Sequence, residues 1–447
     1  MSKFVIIFNK EVIFMDALLS LSIALLVGLL LSRLAKLAKL PAVTAYLVAG
    51  ILVGPYCIGK LGNLWDVGGL GFPTLENVES FSILCDVALG FIAFSIGNEF
   101  RLSQLKTIGK QATIVGILQA LITTLLVDAV LIALHFAMPE TLSLPAAITL
   151  GAIAAATAPA ATLMVVKQYK AKGALTSILL PVVALDDAVG LILFAVSFGV
   201  ANAIGVGSIG ITAVLVEPLL EVVLSLALGF GMGWLFSFCE RFFHSRSKRL
   251  SVSIAFVVLT IALSMLKFEI GGVHIAFSSL LTCMMLGTVF CNVCDFSEEL
   301  MERVDRWTSP LFVLFFVLSG AELRLDVFAD VMIVLVGVAY ILSRSAGKYS
   351  GAYLSAKLAK CDDNIVKYLG VTLLPQAGVA LGMAMKAAAL PVGGELVANI
   401  TLFAVLIYEL IGPMLTKIAL LKAGDINPEG KTSARHEHAK KMALNKQ

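Results

Sequence analysis

Charge is what this chain has little of. Of its 447 residues only 14% are Asp, Glu, Lys or Arg, while 59% are hydrophobic, and the mean hydropathy is +0.97. Water-soluble domains carry about 25% charged and about 45–50% apolar residues. The shortage excludes a soluble enzyme and a disordered chain. A net charge of +3 is too small to argue for a nucleic acid partner. Cysteine is also scarce. Seven residues, an odd number, make no disulfide framework. Cys291 and Cys294 form a CxxC, but no second pair of Cys or His completes a tetrahedral metal site. No resident metal or other cofactor is expected. Gly205, Gly207 and Gly210 have GxGxxG spacing, yet a helix and not a strand precedes them, so they do not read as a nucleotide loop.

Long apolar runs are abundant. A membrane-spanning helix needs about 20 mostly apolar residues. That ruler predicts thirteen spans, near 17–37, 41–59, 79–98, 109–136, 143–166, 174–202, 211–238, 250–267, 273–292, 308–321, 327–356, 365–388 and 396–421. Residues 1–16 are interrupted by Asn9, Lys10 and Glu11 and read as a leader before span 1, retained because no small-residue cleavage site follows. Residues 422–447 read as a basic, solvated tail, too short to build a core. The expected fold is an all-α polytopic membrane protein.

Basic residues test the count. Arg33, Lys36 and Lys39 follow span 1; Arg101, Lys106 and Lys110 follow span 3; Lys167, Lys170 and Lys172 follow span 5. Arg241, Arg246, Lys248 and Arg249 follow span 7, Arg303 and Arg306 span 9, and Lys357, Lys360 and Lys367 span 11. The loops after even-numbered spans hold only Lys60, Lys267, Arg324 and Lys386. Cytoplasmic loops are the ones enriched in Lys and Arg. The alternation therefore predicts a multi-pass cell-membrane protein with its N-terminus outside and its C-terminus in the cytoplasm.

Two basic residues fall inside a span. Arg344 and Lys348 are four apart and share one face of span 11. Span 6 carries adjacent carboxylates, Asp186 and Asp187, with about ten apolar or small residues on each side. Ionisable groups at membrane depth are costly and are functional candidates by default. Neighbours on a helix point about 100° apart, so the two aspartates do not face each other, and each needs its own partner. For a buried Lys348, either aspartate is available. Asp128, Glu217, Glu221 and Glu409 also lie in or near spans, with no partner motif beside them, and His274 lies near the outer end of span 9. Gly229 and Gly233 form a GxxxG on span 7 that reads as packing.

Spans 5 and 12 are interrupted. Span 5 contains Ala154-Ala155-Ala156-Thr157-Ala158-Pro159, and span 12 contains Leu374-Pro375-Gln376-Ala377-Gly378. Proline removes a backbone donor and clashes with the preceding turn. Freed backbone groups at membrane depth are tolerated only where they line a cavity or meet a partner. The two are seven apart in the order of spans, an odd number, so they cross in opposite directions. Paired, inverted, broken helices point to a transport site.

These residues resemble the monovalent cation:proton antiporters, the sodium/proton exchanger superfamily, over most of 20–420. Leu40-Pro41-Ala42-Val43-Thr44-Ala45-Tyr46 through Gly54-Pro55 is similar to that family's opening signature. Ala156-Thr157-Ala158-Pro159, the aspartate pair, Phe315 to Leu323 and Lys348-Tyr349-Ser350-Gly351 fit in order and spacing. The resemblance implies inverted repeats and two discontinuous crossing helices. It implies scaffold and dimerisation helices in 17–98, core helices in 109–202, scaffold and linking helices in 211–321, core helices in 327–421, and a homodimer. It implies that Asp187 binds the transported cation, Na⁺ or Li⁺, helped by Thr157 and nearby carbonyls, and that Asp186 pairs with Lys348. Relatives with two carboxylates here are typically electrogenic. Many relatives carry Arg-Gly-Glu after the span 12 proline, where this chain has Gln376-Ala377-Gly378, which removes a charge pair.

The expected partners are thus monovalent cations, protons and membrane lipid. A K⁺/H⁺ efflux antiporter and a same-fold, sodium-coupled organic anion symporter are the alternatives within the fold. An intramembrane aspartyl protease needs facing carboxylates, which adjacent positions do not supply.

Overall fold

The computed structural model describes residues 2–37, 40–63, 71–98, 101–206, 217–270, 273–294, 296–323, 331–388 and 390–426. Arg324, Gly207 and Gly210, and the tail beyond residue 426 lie outside the described residues. The chain is nearly all helix. In order it forms α1 (Ser2–Leu37), α2 (Ala42–Val53), a short 3-10 turn, α3 (Leu75–Glu79), α4 (Ser82–Asn98), α5 (Leu102–Ala137), α6 (Leu144–Ile153), α7 (Pro159–Tyr169) and α8 (Ala174–Val206). There follow α9 (Glu217–Glu240), α10 (Arg246–Ser264), α11 (Ser279–Val293), α12 (Ser297–Glu322), α13 (Val331–Leu358), α14 (Asp363–Thr372), α15 (Gly378–Ala387) and α16 (Gly394–Ala423). Eight of the described helices are long and apolar enough to cross a membrane by length and composition.

The predicted spans differ from these elements in three places. Helix α1 runs on from Ser2, so the expected leader is continuous with span 1. Span 9 begins with an antiparallel ribbon, Phe268–Ile270 paired with Val273–Ile275, and turns helical only at Ser279. Span 10 is longer than its apolar part, because Ser297 to Trp307 extends the same helix with a charged face. Glu299–Arg303 and Glu302–Arg306 pairs at i,i+4 support that polar half.

The breaks at spans 5 and 12 have clear local causes. Helix α6 is capped by Ser143, whose Oγ accepts the Ala146 N–H, and it stops at Ile153. Helix α7 then starts with Pro159 in its first turn, where a missing N–H costs nothing. Pro375 lies in the gap between α14 and α15. The two gaps meet: the Ala158 N–H donates to the Pro375 carbonyl at 2.8 Å.

Packing separates two masses. One apolar cluster gathers residues of α1 to α4 and α9 to α12, joined by one face of α7 and of the first half of α8. It is rich in aromatics, with Phe236 and Phe290 stacked at 4.4 Å and Phe94 and Phe256 beside them. Two further clusters gather α5, α6, α8 and α13 to α16. Small residues set the close approaches. A Cβ on Gly50 of α2 would lie 1.9 Å from the Val317 carbonyl of α12, and one on Gly320 would lie 2.2 Å from the Leu47 carbonyl. Gly229 and Gly233 of the GxxxG both face α11 in the same way.

Candidate functional site

Helix α8 carries Asp186 to the crossing of the two broken spans. The Asp186 side chain is fully buried, as are Lys348 and Arg344 on α13. Lys348 Nζ donates to Asp186 Oδ2 at 2.7 Å. Thr157, in the α6–α7 gap, donates its hydroxyl to the same Oδ2 at 2.5 Å and accepts from Lys348 Nζ at 2.9 Å. Lys348 also donates to the Ala155 carbonyl. One carboxylate, one ammonium and one hydroxyl thus close a triangle beside a freed backbone carbonyl.

Gln119 of α5 completes the cluster, and sequence reasoning missed it. Its Nε2 donates to Asp186 Oδ1, and its Oε1 accepts from Lys348 Nζ at 3.2 Å. The signal was faint: one amide in the apolar run from Ala112 to Leu134. An amide has both a donor and an acceptor, so it can serve both ends of the ion pair at once.

Arg344 has a different task. Its Nε and Nη2 donate to the carbonyls of Ala154 and Ala156 at 3.0 and 2.7 Å, and its Nη1 donates to Leu374 at 2.7 Å. The guanidinium lies over the Tyr408 ring, 4.4 Å from its centre. Those carbonyls follow the C-terminal ends of α6 and α14, where helix dipoles place partial negative charge. One cation therefore satisfies freed acceptors of both broken spans. Gln376 assists: its Nε2 donates to the Ile153 carbonyl and to the Tyr340 hydroxyl, each at 3.0 Å, while its buried Oε1 has no hydrogen-bond partner among the described residues.

The remaining sequence candidates fall elsewhere. Thr157 bonds to Asp186, whereas the resemblance assigned it to Asp187; the Asp187 side chain lies outside what is described. So do the side chains of Glu217 and His274. Glu221 lies 4.0 Å from Lys386 at a partly exposed site. Asp128 of α5 approaches Gly151 of α6, and Glu409 of α16 is buried. Cys291 and Cys294 are buried thiols at the end of α11, and Cys291 Sγ donates to the Thr288 carbonyl.

Two discontinuous helices that meet at their breaks, with a buried aspartate–lysine pair at the join, are the architecture of a multi-pass membrane transporter. The chain belongs to the sodium/hydrogen exchanger transmembrane family, whose model matches residues 21–422. It is 23% identical over 359 residues to the Na(+)/H(+) antiporter NhaS4 of Synechocystis sp., covering 78% of this chain and 83% of that one. Two structures of the sodium proton antiporter MjNhaP1 from Methanocaldococcus jannaschii share the fold. One, at pH 8, has a TM-score of 0.63 at 19% identity and covers 92% of this chain and 99% of its own. The other, an electron-microscopy map, has a TM-score of 0.68 at 17% identity and covers 91% and 94%.

Proposed function

We propose that this protein exchanges a monovalent cation, Na⁺ or Li⁺, for protons across the cell membrane, and that the exchange is electrogenic. The observation that carries this reading is the fully buried Asp186–Lys348 pair, bridged by Thr157 at the crossing of two broken helices. Asp187, one residue on, is the proposed cation ligand. A carboxylate at the bilayer centre can hold a proton or a small cation but not both, so the two compete. Carrying a bare charge through the membrane is costly, so the core moves when Asp187 is neutralised by either ligand. Thr157 bonds both Asp186 and Lys348; for its hydroxyl to face a cation, the ammonium must release it. Lys348 holds Asp186 in the empty state and lets go when that carboxylate is protonated.

Two protons against one cation move one net charge, and the membrane potential is worth about 2.3 kcal/mol per charge per 100 mV. The α5–α8 and α13–α16 mass is the proposed moving core, and the aromatic-rich mass is the scaffold of a homodimer. The basic loops face the cytoplasm in this reading. The test is purified protein in proteoliposomes with an internal pH dye, given Na⁺, Li⁺ or K⁺, with and without valinomycin to clamp the potential. Proton movement with Na⁺ or Li⁺ that grows under the clamp is the expected result. No movement with any cation sinks the proposal; movement with K⁺ alone moves it to K⁺/H⁺ efflux. Asp187→Asn is expected to abolish exchange with the protein still folded. Retained flux in that variant removes Asp187 from the site.

A further inference from the structure

The seam between the two masses is closed unequally on its two sides. One face of helix α7 and of the first half of α8 packs in the aspartate-bearing mass, through Val165, Val166, Leu175 and Val182. Yet Ala158, Ala160, Ala161, Leu163, Leu180 and Ala184 are packed into the aromatic-rich one. Across the break, Ala146, Ala147, Leu150 and Ile153 of α6 pack within their own mass, reached from the other by Ile51 and Leu323. The closed half lies on the side of the basic loops, because α7 ends among Lys167, Lys170 and Lys172.

At the rim of that closed half, three polar side chains cross the seam. Lys167 Nζ, in the last turn of α7, lies 2.6 Å from Asp305 Oδ1 of α12 and 3.1 Å from Ser95 Oγ of α4. Ser95 Oγ in turn donates to the same Asp305 Oδ1 at 3.0 Å. The next two residues of α7 add further ties. Gln168 Oε1 accepts the Ala42 N–H at 2.8 Å, and the Tyr169 hydroxyl reaches the Leu40 carbonyl at 3.4 Å. An ordinary surface ion pair joins neighbours on one helix and contributes little; Glu302–Arg306 on α12 is of that kind. The Lys167 pair joins three helices from two masses, is only 25% and 32% exposed at its two side chains, and leans on a serine that is 2% exposed.

We propose that Lys167, Asp305 and Ser95 are the latch of a gate on the basic-loop side, and that the structure holds this gate closed. The inference rests on the exchange reading, because alternating access is what requires the seam to open there. When α7 parts from α4 and α12, the ammonium and the carboxylate separate into water. The latch therefore sets how often the site opens toward the basic-loop side, without touching the transported ion.

The test is hydrogen–deuterium exchange on the purified full-length protein in nanodiscs, comparing wild type, Lys167→Gln, Asp305→Asn and the charge swap Lys167→Asp with Asp305→Lys. A latch predicts that each single variant speeds exchange at least threefold in peptides of α7 and the facing part of α4. It also predicts unchanged exchange in α6 and α15, and a return toward wild type in the swap. Ser95→Ala, which strands no charge, serves if a charge variant fails to fold, and should give a smaller rise in the same peptides. Unchanged exchange in the singles, a rise spread over all helices, or a swap no better than the singles overturns the latch. None of these readings needs transport, so a failure of the proteoliposome experiment is distinguishable from a failure of the latch.

Discussion

The aspartate crossing and the aromatic pack around Phe236 are both buried, but opposite physics holds them. At the crossing, broken helices leave carbonyls at membrane depth, and the chain answers with cations: Arg344 takes Ala154, Ala156 and Leu374, and Lys348 takes Ala155. Around Phe236, unbroken helices leave no backbone to satisfy, and rings and small residues fill the space. In lipid there is little hydrophobic drive between helices, so packing and interhelical hydrogen bonds must do the work. One region uses mainly the first and the other mainly the second. The division separates a charge-dependent unit, able to change its partners, from a shape-dependent unit that keeps its form.

The sharpest way to break that comparison is at Arg344. Hydrogen bonds to charged groups are worth about 1.5–3 kcal/mol net each, and Arg344→Ala removes three while stranding their acceptors. The sum is comparable with the margin of about 5–15 kcal/mol that holds a folded domain. Loss of a monodisperse peak in size-exclusion chromatography is expected. Arg344→Lys keeps the charge but offers no planar fork, so an intermediate loss is expected. If Arg344→Ala behaves like wild type in a thermal melt, the broken backbone does not depend on this cation.

Next in size is Phe236→Ala. Phenylalanine truncation in soluble cores costs about 3–5 kcal/mol; with packing alone operating in lipid, about 3 kcal/mol is expected here. A lowered melting temperature should accompany an apparent cation affinity within twofold of wild type in the folded fraction. A larger change in affinity would show that the two regions are one unit.

How far the sequence reveals this division depends on the kind of signal. Pro159 and Pro375 mark the breaks because proline acts on its own backbone, and the aspartates and the α13 cations stand out because charge is rare in a span. Gln119 did not stand out, because its importance comes from which helices face it and not from its neighbours in the chain. Arg344 was visible as a buried charge, but its partners are main-chain carbonyls, which every residue has and no sequence distinguishes. The polar half of α12 was read as loop for a related reason. Its charges suit a solvated helix face as well as a loop, and only the tertiary contacts of Asp305 with Ser95 and Lys167 decide between them.

Gln119 also gives a finer probe of the crossing. Gln119→Leu keeps the volume and removes one partner each from Asp186 and Lys348. Each bond has a charged partner, a kind worth about 1.5–3 kcal/mol net, but Asp186 and Lys348 keep each other and Thr157, so a loss at the low end of that range is expected. A thermal melt should show that modest loss, and the apparent cation affinity in proteoliposomes should shift by about threefold to tenfold, since 1.4 kcal/mol is tenfold. An unchanged affinity would place Gln119 among the packing residues.

The smallest effect is expected outside both regions. Glu302 and Arg306 pair on α12, exposed by 66% and 77%. Exposed i,i+4 pairs contribute about 0.3–0.5 kcal/mol, and salt screens them over about 8 Å at physiological ionic strength. Glu302→Gln should leave the melting temperature and cation affinity at wild-type values at 0.15 M salt. Asp305, three residues along the same helix, is the contrast. It faces Ser95 and Lys167 across the seam, and Asp305→Asn should alter hydrogen exchange there while Glu302→Gln does not. Equal responses would mean that charge on α12, and not its position at the seam, governs the contact between the two masses.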